Sequence, residues 1–460
     1  MNTKKIILIL LLPIYCFSQK KDKKFSKKEI LTDLTYLYES LEDAHYNLYA
    51  YTSKKAFKKN FCSIQKSITK DSLNTLEATS LFQKIISKAN NGHTEIDFPV
   101  QPYLKYGDTG GTLFPLEIAF ENNKALIRKN WSKNNNIKKG AEVLEINGES
   151  ISQVLYKIQA QTSAERTYFK NAKIELYSFP RYYWQVYGKK NQFVIKIKSD
   201  NKIQKHTLKT IKVFEEYEMK RLEVLNAKMT LKFFKNTAYI NPGNFSGDKQ
   251  KYQHFLDSSF LEIKRRKSNT LIIDLKNNGG GHNFFSDYLV SYFADKPFKW
   301  NSSFTLKTSK FLKENVRKNR DTTDVFWKEV LKRKDGEIYD YEFNEKQPKP
   351  KNKRFTGKVY VLINRQSHSQ SAVTAAQIQD YNFGTIIGEE TGDYPTLYAS
   401  QFQYPLPNTG IIVKVSKGLI VRVNGSKKQE GVIPDIYIQD HLLDEEDEIL
   451  NGLLKKMKEN

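Results

Sequence analysis

Apolar positions along this chain follow two periods, and the period changes more than once. From residue 26 to residue 92 they recur every three to four residues: Leu31, Leu34, Leu37, Leu41 and Leu48 lie on one helical stripe. Ser26 and Glu29 have the spacing of a capping box, and Phe25 with Ile30 that of a hydrophobic staple, so a helix is predicted to start there. A second helix is predicted from Lys54 to about Ile68. A third starts at Asn74, with Glu77 three residues on, carries Leu81, Ile85 and Ile86, and stops at the left-handed cap signal Asn90-Asn91-Gly92. From Leu113 to Ile211 short alternating runs replace the stripe. Leu116 to Phe120 and Ala125 to Ile127 flank Asn122-Asn123, Glu142 to Ile146 ends in the tight-turn pair Asn147-Gly148, and Gln192 to Ile197 and Lys205 to Ile211 follow. Tyr168 to Tyr187, rich in tyrosine and without glycine, is expected to pack over a joint between units.

From Leu231 strands and helices alternate. Thr237 to Ile240 reads as a strand, Tyr252 to Lys264 as a helix, Thr270 to Leu275 as a buried strand, and Phe284 to Phe293 as a helix. Val359 to Ile363 is a strand, Ala372 to Tyr381 a helix, and Thr385 to Ile387 a strand. Such alternation implies an α/β sheet flanked by helices. Lys299 to Lys353 breaks the pattern: it is basic and aromatic, ends in the proline-broken run Lys346 to Lys351, and is expected to be an insertion able to cover a cleft. Asp444 to Lys458 closes the chain as a helix, acidic first and basic last, as its dipole favours. The expected organisation is a leader, 1-18; a helical region, 19-100; a β-rich module, 101-228; a main α/β domain, 229-440; and a C-terminal helix, 441-460.

The leader reads as a secretory signal: Lys4 and Lys5, an apolar core from Ile6 to Leu12, and Cys16-Phe17-Ser18 near the cleavage point. The expected location is therefore periplasmic or extracellular. Anchoring by a lipid on Cys16 is the lesser reading, because Pro13-Ile14-Tyr15 is bulky where small residues would precede a lipidated cysteine. Without Cys16 only Cys62 remains, which excludes an internal disulfide and suggests a helical core thiol. The 75 Lys and Arg against 51 Asp and Glu give a net charge of +24. The lysines are scattered and no nucleic-acid motif occurs, so a solvated basic surface is expected, with attraction to an anionic envelope surface as the sharper alternative. The seven histidines are dispersed and no His-Glu-x-x-His occurs, so no metal or other cofactor is called for.

Candidate chemistry centres on Arg365-Gln366-Ser367-His368-Ser369-Gln370-Ser371-Ala372, between a buried strand and a helix start, where free backbone N–H groups and the helix dipole gather. A serine there is an N-cap unless the chain also supplies a base and an oxyanion site. Asn277-Asn278-Gly279-Gly280-Gly281 follows the strand Leu271 to Leu275. Ile387-Gly388-Glu389-Glu390-Thr391-Gly392 and Glu430-Gly431-Val432-Ile433-Pro434-Asp435 come later. These four segments, in this order, resemble the C-terminal processing, or tail-specific, serine peptidases and their tricorn-like relatives.

The resemblance implies a crotonase-like core of the kind shared with Clp proteases, with an N-terminal helical unit and a PDZ-like module. Gly140 to Gly148 looks like a late strand and turn of that module, and Gly110 to Pro115 its binding-loop region. In the family's Ser-x-Ser-x-Ser pattern the last serine is the nucleophile, which selects Ser371, in register with Gln379-Asp380-Tyr381; Ser369 is the choice if the register slips by two. The lysine of the best-known branch is replaced by Tyr394. The base implied by the tricorn-like branch is His93, in Asn91-Gly92-His93-Thr94, with His282 and, less aptly placed, His368 as rivals. The resemblance makes Glu430 the group that orients the imidazole, and gives the oxyanion N–H groups to Gly279 or Gly280 and to Ala372. The expected activity is an exported serine-type endopeptidase acting on protein or peptide substrate. The competing expectation is a catalytically inactive protein that captures peptides or apolar ligands on the same scaffold.

Overall fold

The computed structural model describes residues 23–221, 228–443 and 446–459. The leader predicted over residues 1–18, with Cys16, lies outside these residues, as does the start of the predicted C-terminal helix at Asp444. No described helix is long and apolar enough to cross a membrane.

The main domain is built on a six-stranded sheet whose spatial order follows the chain: Thr230–Phe234, Thr237–Asn241, Thr270–Asp274, Lys358–Ile363, Thr385–Gly388 and Ile436–Tyr437. The first pair is antiparallel and every later pair parallel. Side-chain alternation sorts the strands' residues onto two faces. Leu271, Ile273, Val359, Val361, Ile363 and Ile386 pack against the helices Lys249–Arg265, Asn283–Val290 and Gln370–Asp380. Ile272, Leu362 and Ile387 point the other way, onto Ile449 and Leu453 of the C-terminal helix Glu448–Glu459.

A second, four-stranded sheet stands beside the first. It joins the hairpin Leu397–Pro405 and Ile412–Val421 to Ser303–Lys307 and Ile338–Asp340. The segment read as an insertion is thus woven into a sheet: Phe304, Leu306, Leu312, Val316 and Val330 are buried in one core with the N-terminal helices and the hairpin. Those helices start and stop where their local chemistry dictates. Lys27–Ala44 and Thr75–Ile86 both begin with complete capping boxes, on Ser26 and Asn74, and the third ends in a short 3-10 turn followed by Asn90 at φ +50°. Cys62 lies half-buried in the helix Lys54–Lys66.

Between these units sits the middle module, an antiparallel sheet of Leu116–Glu121, Lys124–Asn130, Glu142–Ile146, Gln192–Ser199 and Lys202–Lys209. The tyrosine-rich stretch within it forms two helices, Thr167–Tyr177 and Phe179–Tyr187. The first does lie over a joint: its residues bond to elements of both neighbouring units, as described next.

Candidate active site

The strand Lys358–Ile363 ends at Asn364, and the chain then makes a tight, heavily bonded turn. Asn364 Oδ1 accepts the N–H groups of Gln366 and Asn277. Ser367 Oγ donates to the carbonyl of Leu275 at 2.7 Å, and Ser371 Oγ points to the same carbonyl at 3.4 Å. The two outer serines of the alternation therefore face inward, and Ser371 is fully buried. Ser369 faces the other way and is half-buried. Its backbone is at φ +54°, ψ −131°, a conformation that costs a non-glycine residue about 1–3 kcal/mol and marks sites where a side chain must be held out of its relaxed position. Although Ser369 occupies the N-cap position, its hydroxyl caps nothing. It lies 2.9 Å from His93 Nε2 instead.

His93 reaches this point on a turn tied down from three sides. Gln401 Nε2 of the hairpin donates to the His93 carbonyl at 2.7 Å, and Asn91 Oδ1 accepts from Ser416 Oγ. Glu95 and Lys414 exchange backbone hydrogen bonds. From the middle module, buried Lys173 donates to the Gly92 carbonyl, the Ser163 carbonyl and Glu95. Burial pulls the imidazole down to about 4, with Glu165 opposing the fall, so the ring is neutral near pH 7 and its Nε2 can accept the serine proton.

Two acids accompany the pair. Asp393 is fully buried; its Oδ2 accepts the backbone N–H of Ser369 at 2.9 Å and lies 3.8 Å from His93 Nε2. Glu165 Oε1 accepts from Gly92 N at 2.7 Å and from Asn91 Nδ2. Its Oε2 is buried without a partner, as is His93 Nδ1. Burial raises both carboxyls, and the Asp393 charge raises Glu165 further. A buried ion network holds the turn from behind: Arg365 bonds Glu175 and Glu389, and Gln366 Nε2 also reaches Glu175.

The structure thus brings His93 to Ser369 and not to Ser371, because the helix starts at Gln370, with Ser371 already inside its buried first turn. Glu430 does not join them: its side chain is 44% exposed and its ion partner is Lys428 at 3.6 Å. The acids at His93 are Asp393 and Glu165, which the sequence reading missed. Asp393 had one signal, its place directly after the Gly-Glu-x-Thr-Gly turn; Glu165, 72 residues from His93, had none. The glycine loop does sit against the turn, since a Cβ on Gly280 would meet Gln370 N at 2.5 Å and Ser369 Cβ at 2.8 Å. Gly280 N–H is already bonded to Asn278 Oδ1 at 2.8 Å, whereas Gly279 N–H reaches Asn244 Oδ1 only at 3.4 Å. With Ser369 in place of Ser371, the N–H following the serine is that of Gln370, not Ala372. The rival bases are otherwise engaged: His282 Nδ1 caps the helix Asn283–Val290, and His368 Nδ1 pairs with the Gln366 carbonyl. Tyr394 lies with its ring under Arg166, 5.0 Å away, and its N–H bonded to Asp393 Oδ1.

The tail-specific protease of Haemophilus influenzae (strain ATCC 51907 / DSM 11121 / KW20 / Rd) is 27% identical over 225 residues, 47% of this chain, and the chain spans only 27% of that protein's length. Mature CPAF has a similar fold: the match has a TM-score of 0.65 at 15% identity and covers 94% of this chain and 96% of CPAF. CPAF complexed with lactacystin matches equally well, with the same TM-score and identity over 94% of this chain and 97% of that one. A family model, that of peptidase family S41, matches residues 236–438, which contain all four motif segments, the turn of Ser369 and Asp393. Residues 236–438 are therefore a peptidase family S41 domain, the domain of the C-terminal processing peptidases.

Proposed function

We propose that this chain is an exported serine-type endopeptidase in which Ser369 is the nucleophile and His93 its base. The observation that carries the reading is the 2.9 Å contact between His93 Nε2 and Ser369 Oγ, made by a serine held at positive φ with its hydroxyl spared from capping. Neutral His93 removes the Oγ proton as the oxygen attacks a peptide carbonyl. The oxyanion lies against Gln370 N–H, at the helix start, and Gly279 N–H in the loop opposite. The imidazolium returns its proton to the leaving amine, and a water, deprotonated in the same way, releases the acyl group. Asp393, beside both residues, favours the imidazolium while it exists. Export rests on the charged and apolar pattern of residues 1–18.

The test is labelling of the purified protein with a serine-directed fluorophosphonate. Wild type and Ser371→Ala should label, and Ser369→Ala and His93→Ala should not. Loss of label in Ser371→Ala with retention in Ser369→Ala would overturn the assignment. Protection by lactacystin, the compound present in the CPAF complex, would place the label in the same cleft.

A further inference from the structure

A cavity of about 350 Å³ lies between the middle module and the main domain, away from the His93–Ser369 contact. Its wall carries hydrogen-bond donors that meet no acceptor. Arg221 is 2% exposed; its Nε holds Glu117 and its Nη2 holds the carbonyls of Glu175 and Leu176, but Nη1 is buried without a partner. Trp131 likewise has a buried indole N–H that bonds to nothing. Arg128, from the strand Lys124–Asn130, lines the same space and forms no hydrogen bond or ion pair with any described residue. Burial pulls its guanidinium below the usual range; the Glu117 and Glu175 charges oppose the fall, and those of Arg221 and Arg365 add to it.

Acids line the cavity too, and three of them have an oxygen already held by a neighbour. Glu117 is held by Arg221 and Tyr217, Asp440 by Asn364, and Asp447 by Lys276. Glu446 and Lys139 are exposed at its rim. Two guanidinium groups and an indole N–H facing one water-sized-to-small-molecule space make a wall of unmatched donors. Leaving a buried donor unsatisfied is costly, and each such group in a native protein calls for an explanation.

We propose that this cavity binds a small oxyanion, a carboxylate or phosphate group received by Arg128, Arg221 and Trp131. Guanidinium forks suit either group, because two parallel N–H bonds match two oxygens of the anion. Binding would relieve the repulsion between Arg128 and Arg221, and so ligand and fold would stabilise one another. Gln366 and Asn277 also line the cavity, so its occupant would touch the backs of the Ser369 turn and the glycine loop. The proposal does not depend on the peptidase reading.

The experiment measures thermal stability of the purified protein against sodium phosphate, sodium succinate and sodium chloride at matched ionic strength. Phosphate or succinate should raise Tm by about 5 °C at a hundredfold excess over Kd, with chloride well below. A rise with phosphate alone identifies a tetrahedral anion, and with succinate alone a carboxylate. Arg128→Met should lose the rise. Titration of intrinsic fluorescence should show a change that Trp131→Phe removes. Chloride matching the other anions, a rise that survives in Arg128→Met, or a fluorescence change unaltered by Trp131→Phe would each overturn the proposal.

Discussion

One oxygen of Asp393 accepts the backbone N–H of Ser369 at 2.9 Å and stands 3.8 Å from His93 Nε2. A single buried carboxylate thus fixes the backbone of the candidate nucleophile and lends its charge to the candidate base. Its other oxygen takes Tyr394 N–H. In Asp393→Asn one of these two amides would face an NH2 group, leaving a buried donor unpaired at a cost of about 1–3 kcal/mol. Ser369 would then be free to leave φ +54°, and the imidazolium would lose a neighbouring charge. Fluorophosphonate labelling should fall by roughly 10- to 100-fold, at about tenfold per 1.4 kcal/mol, with a lower Tm. A labelling rate within experimental error of wild type would remove Asp393 from the mechanism.

The same burial sets the pH dependence of the reaction. His93 is held at about 4, below its ordinary 6.5. Labelling should therefore climb as pH rises past about 4 and be level well before neutrality, where an exposed histidine base would still be titrating. For stability the sign follows from the same depression. The unfolded chain binds this proton more tightly, so the neutral ring's contribution is whole above pH 6.5 and is lost as pH falls through about 4. A labelling midpoint near 6.5 in a pH series would show that the ring is not buried as described.

Much of this architecture is legible in the chain itself, and what is not has a common cause. The capping boxes at Ser26 and Asn74, the Asn147-Gly148 turn and the strands Glu142–Ile146 and Thr270–Asp274 depend on residues within a few positions of one another. The helix Val100–Asp108 escaped because Pro102 and Gly107 disguise it. The pairing of Ser303–Lys307 with the hairpin strand joins residues more than a hundred positions apart, which local periodicity cannot reveal. The serine alternation meets the same limit. Spacing to Gln379-Asp380-Tyr381 favours Ser371, whereas the contact with His93 is made by Ser369, whose backbone is held by Asp393 and closely approached by Gly280 from elsewhere in the chain. The end of the helix before His93 is written locally in Asn90-Asn91-Gly92, but only the resemblance of Asn91-Gly92-His93-Thr94 to the Gly-His turn of the tricorn-like branch singled out the histidine itself.

Glu165 offers a test of the contribution made by the middle module. Burial and the Asp393 charge raise its carboxyl above the ordinary 4.5. The folded protein binds this proton more tightly than the unfolded chain, so its contribution is full below pH 4.5 and is lost as pH rises through the folded value. Glu165→Gln is neutral throughout. Its Tm relative to wild type should therefore improve steadily from pH 4.5 to pH 7.5, a trend opposite to that of His93. Removing the charge also takes away the carboxylate that opposes the fall in His93, so labelling at neutral pH should drop by roughly tenfold. A Tm difference that does not change with pH would mean that Glu165 is not buried as a charge.

Gly280 shows how closely the loop must approach the turn. It lies at φ +80°, and a Cβ there would fall 2.5 Å from Gln370 N and 2.8 Å from both the His368 carbonyl oxygen and Ser369 Cβ. Two of those atoms are backbone, so the turn itself would have to move, and with it the alignment of Ser369 to His93. Gly148 is the control. Its φ of +83° imposes the same strain on alanine, about 1–2 kcal/mol, but no atom lies within 4 Å of its would-be Cβ. Both Gly280→Ala and Gly148→Ala should lower Tm, and only Gly280→Ala should abolish labelling, since a displacement of about 1 Å at a reacting centre is enough to cost a hundredfold in rate. Equal labelling by the two variants would show that the loop and the serine turn are not in register.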